Sequence, residues 1–147
     1  MTDEQQKMHD GKIRPLAVAL ITKGNKILAN KGYDPTKQEV FYRLPGGGIE
    51  FGEKAEDTLK RELKEENGID IIVGKQLGVL ENIFEFDGKK GHEIAFVFEA
   101  KLPDECKEKD KIPIIEKQKA REFSEFVEIM PQNKIYPENA LKLLKNK

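Results

Sequence analysis

The chain has one cysteine, Cys106, among its 147 residues, which rules out an intramolecular disulfide and a thiolate metal cage. A reducing, cytoplasmic compartment is the simplest reading of that scarcity. No stretch approaches the roughly 18 consecutive apolar residues of a membrane-spanning helix. The polar stretch from Met1 to Lys12 lacks the apolar core of a secretory signal. A basic excess is also missing: Lys and Arg total 26 against 27 Asp and Glu, for a formal net charge of -1. A protein that coats nucleic acid needs such an excess, so that class is set aside. No internal repeat, low-complexity tract or linker interrupts the chain. Its length suits a single domain over 1–147, with 1–11 as a flexible lead-in.

What is present is charge of both signs, 36% of the residues, as on a soluble domain with a solvated surface. Apolar runs mark strands at Ile13 to Ile21, Lys26 to Asn30 and Val40 to Leu44. The turn signal Thr22-Lys23-Gly24-Asn25 separates the first two, and Tyr33 to Gln38 reads as a loop. Further strands are expected at Gly78 to Phe86 and Glu93 to Ala100, around a hairpin signalled by Asp87-Gly88. Leu102 to Ala120, charged and carrying Pro103 and Pro113, reads as an exposed loop. Phe123 to Ile129 reads as a last strand and Pro137 to Lys145 as a short helix with proline near its start. The clearest helix runs from Gly52 to Asn67, with Gly68 as its left-handed cap. Strands before and after a long helix give an α/β class, a mixed sheet covered by helices.

That helix breaks a pattern. On a wheel of about 100° per residue, Ala55, Leu59 and Leu63 form the core-facing stripe. Glu66 falls on the same stripe, Glu62 at its edge and Glu65 next around. Like charges one turn apart repel, and a partly buried, unpartnered carboxylate costs several kcal/mol. The alternative is an exposed Glu/Lys helix with ordinary i, i+4 pairs; these glutamates sit on the wrong face for it, but periodicity alone does not decide between the two. A divalent cation removes both penalties, and oxygen ligands suit Mg²⁺, with Mn²⁺ as substitute. Gly46-Gly47-Gly48, between a strand and the helix, lets backbone approach a ligand closely. It is not a P-loop, because no Gly-Lys-Ser/Thr follows.

Taken together, Gly47, Glu53, Arg61-Glu62-Leu63, Glu65-Glu66 and Gly68-Ile69 fill every specified position of G-x5-E-x7-R-E-U-x-E-E-x-G-U, where U is a bulky apolar residue. The chain thus resembles the Nudix hydrolase family (MutT-like). The resemblance implies the family's α/β/α sandwich and a Mg²⁺-dependent hydrolysis of a phosphoanhydride in a nucleoside diphosphate derivative. It implies Gly47 (through its carbonyl), Glu62 and Glu66 as metal ligands, with Glu65 a further or water-mediated one. It places Glu53 and Arg61 in supporting positions that orient and neutralise those carboxylates. The general base varies in the family: here Glu62, Glu65 or a late-loop glutamate, for which Glu105, Glu108 and Glu116 are candidates. Homodimers are common in the family, and exposed strands permit one.

Specificity is expected outside the motif. Arg43 and Arg14 are cations that could hold phosphate oxygens, and Tyr33, Phe41, Tyr42, Phe84 and Phe86 could stack on a base. Glu93 shares a strand face with Ala95 and Val97; it adds a carboxylate to the site if that face meets the helix. No proline stands about fifteen residues after the motif, as in ADP-ribose pyrophosphatases, and no tyrosine marks a dinucleoside polyphosphate enzyme. This tilts the reading to a nucleoside triphosphate, with ADP-ribose, dinucleoside polyphosphates and RNA 5′ ends as alternatives. A nucleotide-sensing module without turnover and a purely structural acidic helix are the competing classes.

Overall fold

The computed structural model describes residues 11–116 and 122–146. Two mixed sheets and one α-helix make up the frame. The first sheet has the order β5-β1-β7-β6, built from β1 (Ile13–Leu20), β5 (Gly46–Gly48), β6 (Ile72–Phe86) and β7 (Lys89–Lys101). In it β1 runs parallel to β7, with Arg14 opposite Glu93, while β5 and β6 join antiparallel. The second sheet has the order β10-β4-β3-β9-β8. Its strands are β3 (Lys26–Asp34), β4 (Glu39–Arg43), β8 (Lys111–Pro113), β9 (Phe123–Glu128) and β10 (Ile135–Tyr136), and the short β2 (Thr22–Lys23) pairs with β3.

The unbroken apolar run in β1 is explained by burial of both its faces. Ala17, Ala19 and Ile21 pack with Leu59 and Leu63 of helix α1 (Ala55–Asn67). Leu16, Val18 and Leu20 pack on the other side with Ile27, Ala29, Leu44, Ala95 and Val97. The first sheet is therefore the middle layer, between α1 and the second sheet. Small alanines on the helix side leave room for Leu59 and Leu63, both fully buried.

α1 begins three residues later than the sequence suggests and ends where expected. Gly68 closes it in the left-handed region (φ 70°), and its N–H donates to the Lys64 carbonyl. The Asp87-Gly88 turn is also as expected, with both residues at positive φ (50° and 75°), as a two-residue hairpin turn requires.

Other expectations are corrected. Gly46–Gly48 is a short strand rather than a free loop. β3 continues to Asp34, and β6 starts at Ile72, six residues before the expected Gly78. Leu102 to Ala120 is not simply an exposed loop. Leu102, Cys106, Ile112 and Ile114 are buried, and β8 pairs with β9; 117–120 lie outside the described residues. Apolar side chains at irregular spacing gave no periodic signal there. The expected C-terminal helix is a 3-10 segment, Ala140–Asn146, whose Leu143 packs over Gly78 of β6. The covering layers are thus α1 on one side and the second sheet with this segment on the other. Among the described residues, no helix is long and apolar enough to cross a membrane.

Candidate functional site

The three successive glycines have three different neighbours. Gly46 sits at φ 147°, and a β-carbon there would strike the Ala17 backbone. At Gly47 a β-carbon would stand 2.6 Å from Glu62 Oε2 and 2.7 Å from Oε1. At Gly48 it would meet the Arg14 guanidinium at 3.3 Å. The missing side chains therefore let a carboxylate from α1 and a cation from β1 lie directly on the strand backbone.

Arg61 ties this corner together. Its Nε and Nη2 donate to the two Glu53 oxygens at 2.7 and 2.9 Å, a bidentate pair. Its Nη1 donates to Glu62 at 3.0 Å and Glu65 at 3.3 Å, and its Nη2 to the Gly48 carbonyl at 3.2 Å. Fully buried Thr58 donates to Glu53 at 2.7 Å. The Arg61 and Thr58 hydrogen bonds hold the Glu53 carboxyl down at about 2, against an opposing burial effect. The bond to Glu53 in turn holds the Arg61 charge firmly in place. Glu62 behaves oppositely: burial pushes its carboxyl above the ordinary value, and Arg61 offsets only part of that.

Glu66 is 8% exposed beside Leu63, as the wheel requires, and accepts from Asn30 Nδ2 at 3.4 Å. Asn30, Ser124 and Asn67 form a polar chain beneath it. Ser124 donates to Asn30 Oδ1, and Asn67 donates to Ser124 at 3.0 Å and to the Pro113 carbonyl at 3.2 Å. Asn30 and Ser124 leave no signal in the sequence, because three separated polar residues on three elements share no local spacing. Glu65 is more than half exposed.

Glu62, Glu65 and Glu66 with the Gly47 carbonyl make an all-oxygen donor set, the chemistry a hard divalent cation takes. The pocket that Gly47 leaves for Glu62, and the half-buried charge there, fit such an ion. Among the described residues no three His, Cys, Asp or Glu side chains already converge as a metal cluster. Glu62 and Glu65 turn instead to Arg61, so gathering them on one ion requires side-chain rotation.

Between the sheets, beside Gly46, Gly47 and Glu66, lies an open cleft of about 720 Å³, with Arg14, Phe41, Arg43 and Phe86 along its wall. Glu93 does not join the carboxylates of α1. It shares the face of Ala95 and Val97, which looks to the second sheet. There it lies 4% exposed and accepts from Arg43 Nη2 at 3.0 and 3.2 Å, with Arg14 at 3.6 Å. Tyr42 is placed on the opposite side of β4 from Arg43, against the inner core. Its neighbour Phe41 faces the cleft instead, because alternate strand residues point to opposite faces. Phe84 lines adjoining cavities rather than this cleft. Of the late-loop glutamates, Glu116 is near enough to act on the Glu62 charge. Glu105 and Glu108 are exposed. Tyr33 also borders the cleft.

The NUDIX domain family model matches residues 12–146. An ADP-ribose pyrophosphatase of Bacillus subtilis is 30% identical over 132 residues, covering 90% of this chain and 63% of that protein. An ADP-ribose pyrophosphatase of Methanocaldococcus jannaschii is 38% identical over 96 residues, covering 60% of this chain and 55% of that protein. The chain thus spans under two thirds of the length of these relatives. Among solved structures, a MutT NUDIX hydrolase from Burkholderia pseudomallei superposes with a TM-score of 0.61 at 22% identity. That match covers 91% of this chain and 97% of the other, and shows a shared fold.

Proposed function

The chain belongs to the NUDIX domain family, and from that premise we propose that it is a divalent-metal-dependent pyrophosphohydrolase acting on a nucleoside diphosphate derivative. The observation that carries this reading is the Glu62 carboxylate lying on the bare backbone of Gly47, half-buried and incompletely neutralised. In this reading the Gly47 carbonyl, Glu62 and Glu66 hold Mg²⁺ or Mn²⁺, and Glu65 contributes directly or through water. When bound, the cation screens the phosphate oxygens, stabilises the leaving phosphate and acidifies a water. Arg61 and Glu53 act through other residues: Glu53 anchors the guanidinium, and Arg61 keeps Glu62 and Glu65 from repelling one another. Glu62 or Glu65 accepts the proton from the attacking water. Arg43, held by Glu93, faces the cleft to receive phosphate oxygens, and Phe41 and Phe86 offer faces for a base.

A nucleoside triphosphate is the substrate class we favour; the names of the two relatives favour ADP-ribose as the second reading. The deciding experiment is a panel of canonical and oxidised nucleoside triphosphates, ADP-ribose, dinucleoside polyphosphates and 5′-triphosphorylated RNA, each with Mg²⁺ and with Mn²⁺. Cleavage of at least one substrate, abolished by Glu66→Gln, is expected. Nucleotide binding by calorimetry with no turnover of any substrate would mean a sensing module instead.

A further inference from the structure

The cleft continues past Arg43 toward the β6–β7 hairpin. A cavity of about 100 Å³ there is bordered by Lys12, Arg14, Arg43, Lys89, Lys90 and His92. Glu93 is the one carboxylate among its described lining residues, so five Lys and Arg charges face one acidic group. His92 lies 3.3 Å from exposed Glu81. The walls are aromatic: Phe41, Phe84 and Phe86. Each outer ring is set by a glycine opposite it in the ladder. Phe84 lies over Gly91, and Phe41 over Gly32, where a β-carbon would meet the rings at 2.8 Å or less.

We propose that this hairpin pocket is an anion subsite for phosphates beyond the diphosphate, so that the enzyme selects nucleotides carrying three or more consecutive phosphates over nucleotide sugars. The inference rests on the hydrolase reading above. Continuity supports it. Arg14, Phe41, Arg43 and Phe86 line both the cleft beside Gly47 and Glu66 and the hairpin cavity, so a phosphate chain that starts in the cleft runs past the two arginines into that cavity. Glu93, buried behind the two arginines, holds Arg43 in place and cancels one guanidinium charge. Arg14 and Arg43 reach the cleft, and buried Arg14 Nε has no hydrogen-bond partner among the described residues. Further phosphates then meet Lys89, Lys90 and Lys12, whose charges are uncompensated by carboxylates in the pocket. ADP-ribose, with two phosphates and a neutral sugar beyond them, leaves those lysines unused.

The test uses the intact chain, the Lys89→Gln/Lys90→Gln double variant, and Lys75→Gln, remote from this pocket, as a charge control. Calorimetry with Mg²⁺ compares inorganic tripolyphosphate with pyrophosphate, and kinetics compare a nucleoside triphosphate with ADP-ribose. Tripolyphosphate is expected to bind about tenfold more tightly than pyrophosphate, with the advantage falling as salt screens the lysines. The double variant is expected to lose that advantage and to lower the triphosphate to ADP-ribose ratio of kcat/KM about tenfold, mainly through KM. Lys75→Gln changes neither ratio. Equal affinity for the two anions in a protein that cleaves nucleotides overturns the subsite and leaves the hydrolase reading intact. A protein that cleaves nothing yet binds tripolyphosphate preferentially overturns the hydrolase reading and retains the anion site.

Discussion

The Glu62 carboxylate occupies the space that a side chain on Gly47 would fill. Gly47→Ala therefore collides with the movable end of a glutamate and not with backbone. It should leave the fold intact while pushing Glu62 off the β5 backbone. Activity is expected to fall about 10²-fold, the scale for a misplaced catalytic group, with the melting temperature in the absence of metal little changed. Gly46→Ala contrasts with it, since φ 147° and the Ala17 carbonyl oppose any side chain there. It should cost at least about 1–3 kcal/mol of stability. Denaturant titration of both variants separates the two cases; equal stability losses would contradict the assignment.

Arg61 makes a two-pronged contact with Glu53 and reaches Glu62, Glu65 and the Gly48 carbonyl as well. Lysine offers a point charge that cannot reproduce this fork. Arg61→Lys should lose at least about tenfold in activity and about 1–3 kcal/mol in stability. Near-wild-type kcat/KM in Arg61→Lys would show that the fork is dispensable.

Metal should stabilise the native chain, because the unfolded chain lacks the gathered oxygens. At a Mg²⁺ or Mn²⁺ concentration 100 times the dissociation constant the gain is about 2.7 kcal/mol, read as a rise in melting temperature that EDTA reverses. Glu66→Gln should shrink the rise. A melting temperature indifferent to both metals would return α1 to the status of a structural acidic helix.

Asp34 joins the two sheets at their tips. Buried, it accepts hydrogen bonds from the backbone N–H groups of Thr36, Lys37 and Asp87. Burial alone would raise its carboxyl, but those N–H groups more than compensate and it ends below the ordinary Asp value. A carboxyl depressed in the folded state stabilises the fold above its unfolded pKa of about 3.9. That contribution is lost as pH falls below this value through the lower folded one. Asp34→Asn should flatten the acid limb of the stability profile below about pH 4, with wild type and variant compared by denaturant melts at successive pH values.

Ser124, fully buried, links Asn67 at the end of α1 to Asn30, which donates to Glu66. Ser124→Ala leaves polar groups short of partners at a cost of about 1–3 kcal/mol. A larger loss in metal affinity than in Asp34→Asn, measured by calorimetry, would indicate that the chain also positions Glu66.

Local interactions account for what could be read ahead of the structure. Leu59, Leu63 and Glu66 lie on one face because helical spacing alone puts them there, and Gly68 and Asp87-Gly88 adopt the positive φ their residue types favour. The Leu102 to Ala120 stretch carries no periodic signal, because Leu102, Cys106 and Ile112 are buried against Leu28, Leu59 and Leu63, partners that only the tertiary fold brings to them. Whether Tyr42 or Phe41 faces the cleft depends on the side β4 turns inward, which a five-residue strand with no polar alternation leaves open.

The sequence by itself determined the family, the carboxylate cluster of α1 and the glycines that bare the backbone beside it, because these lie within one contiguous stretch. Tertiary structure decided what Glu93 does. It stands opposite Arg14 only through parallel pairing of β1 with β7 and meets Arg43 only where the two sheets face. That pairing turns a carboxylate that could have joined the site of α1 into the anchor of two arginines, since a buried charge is stabilised by whatever partner the register brings to it.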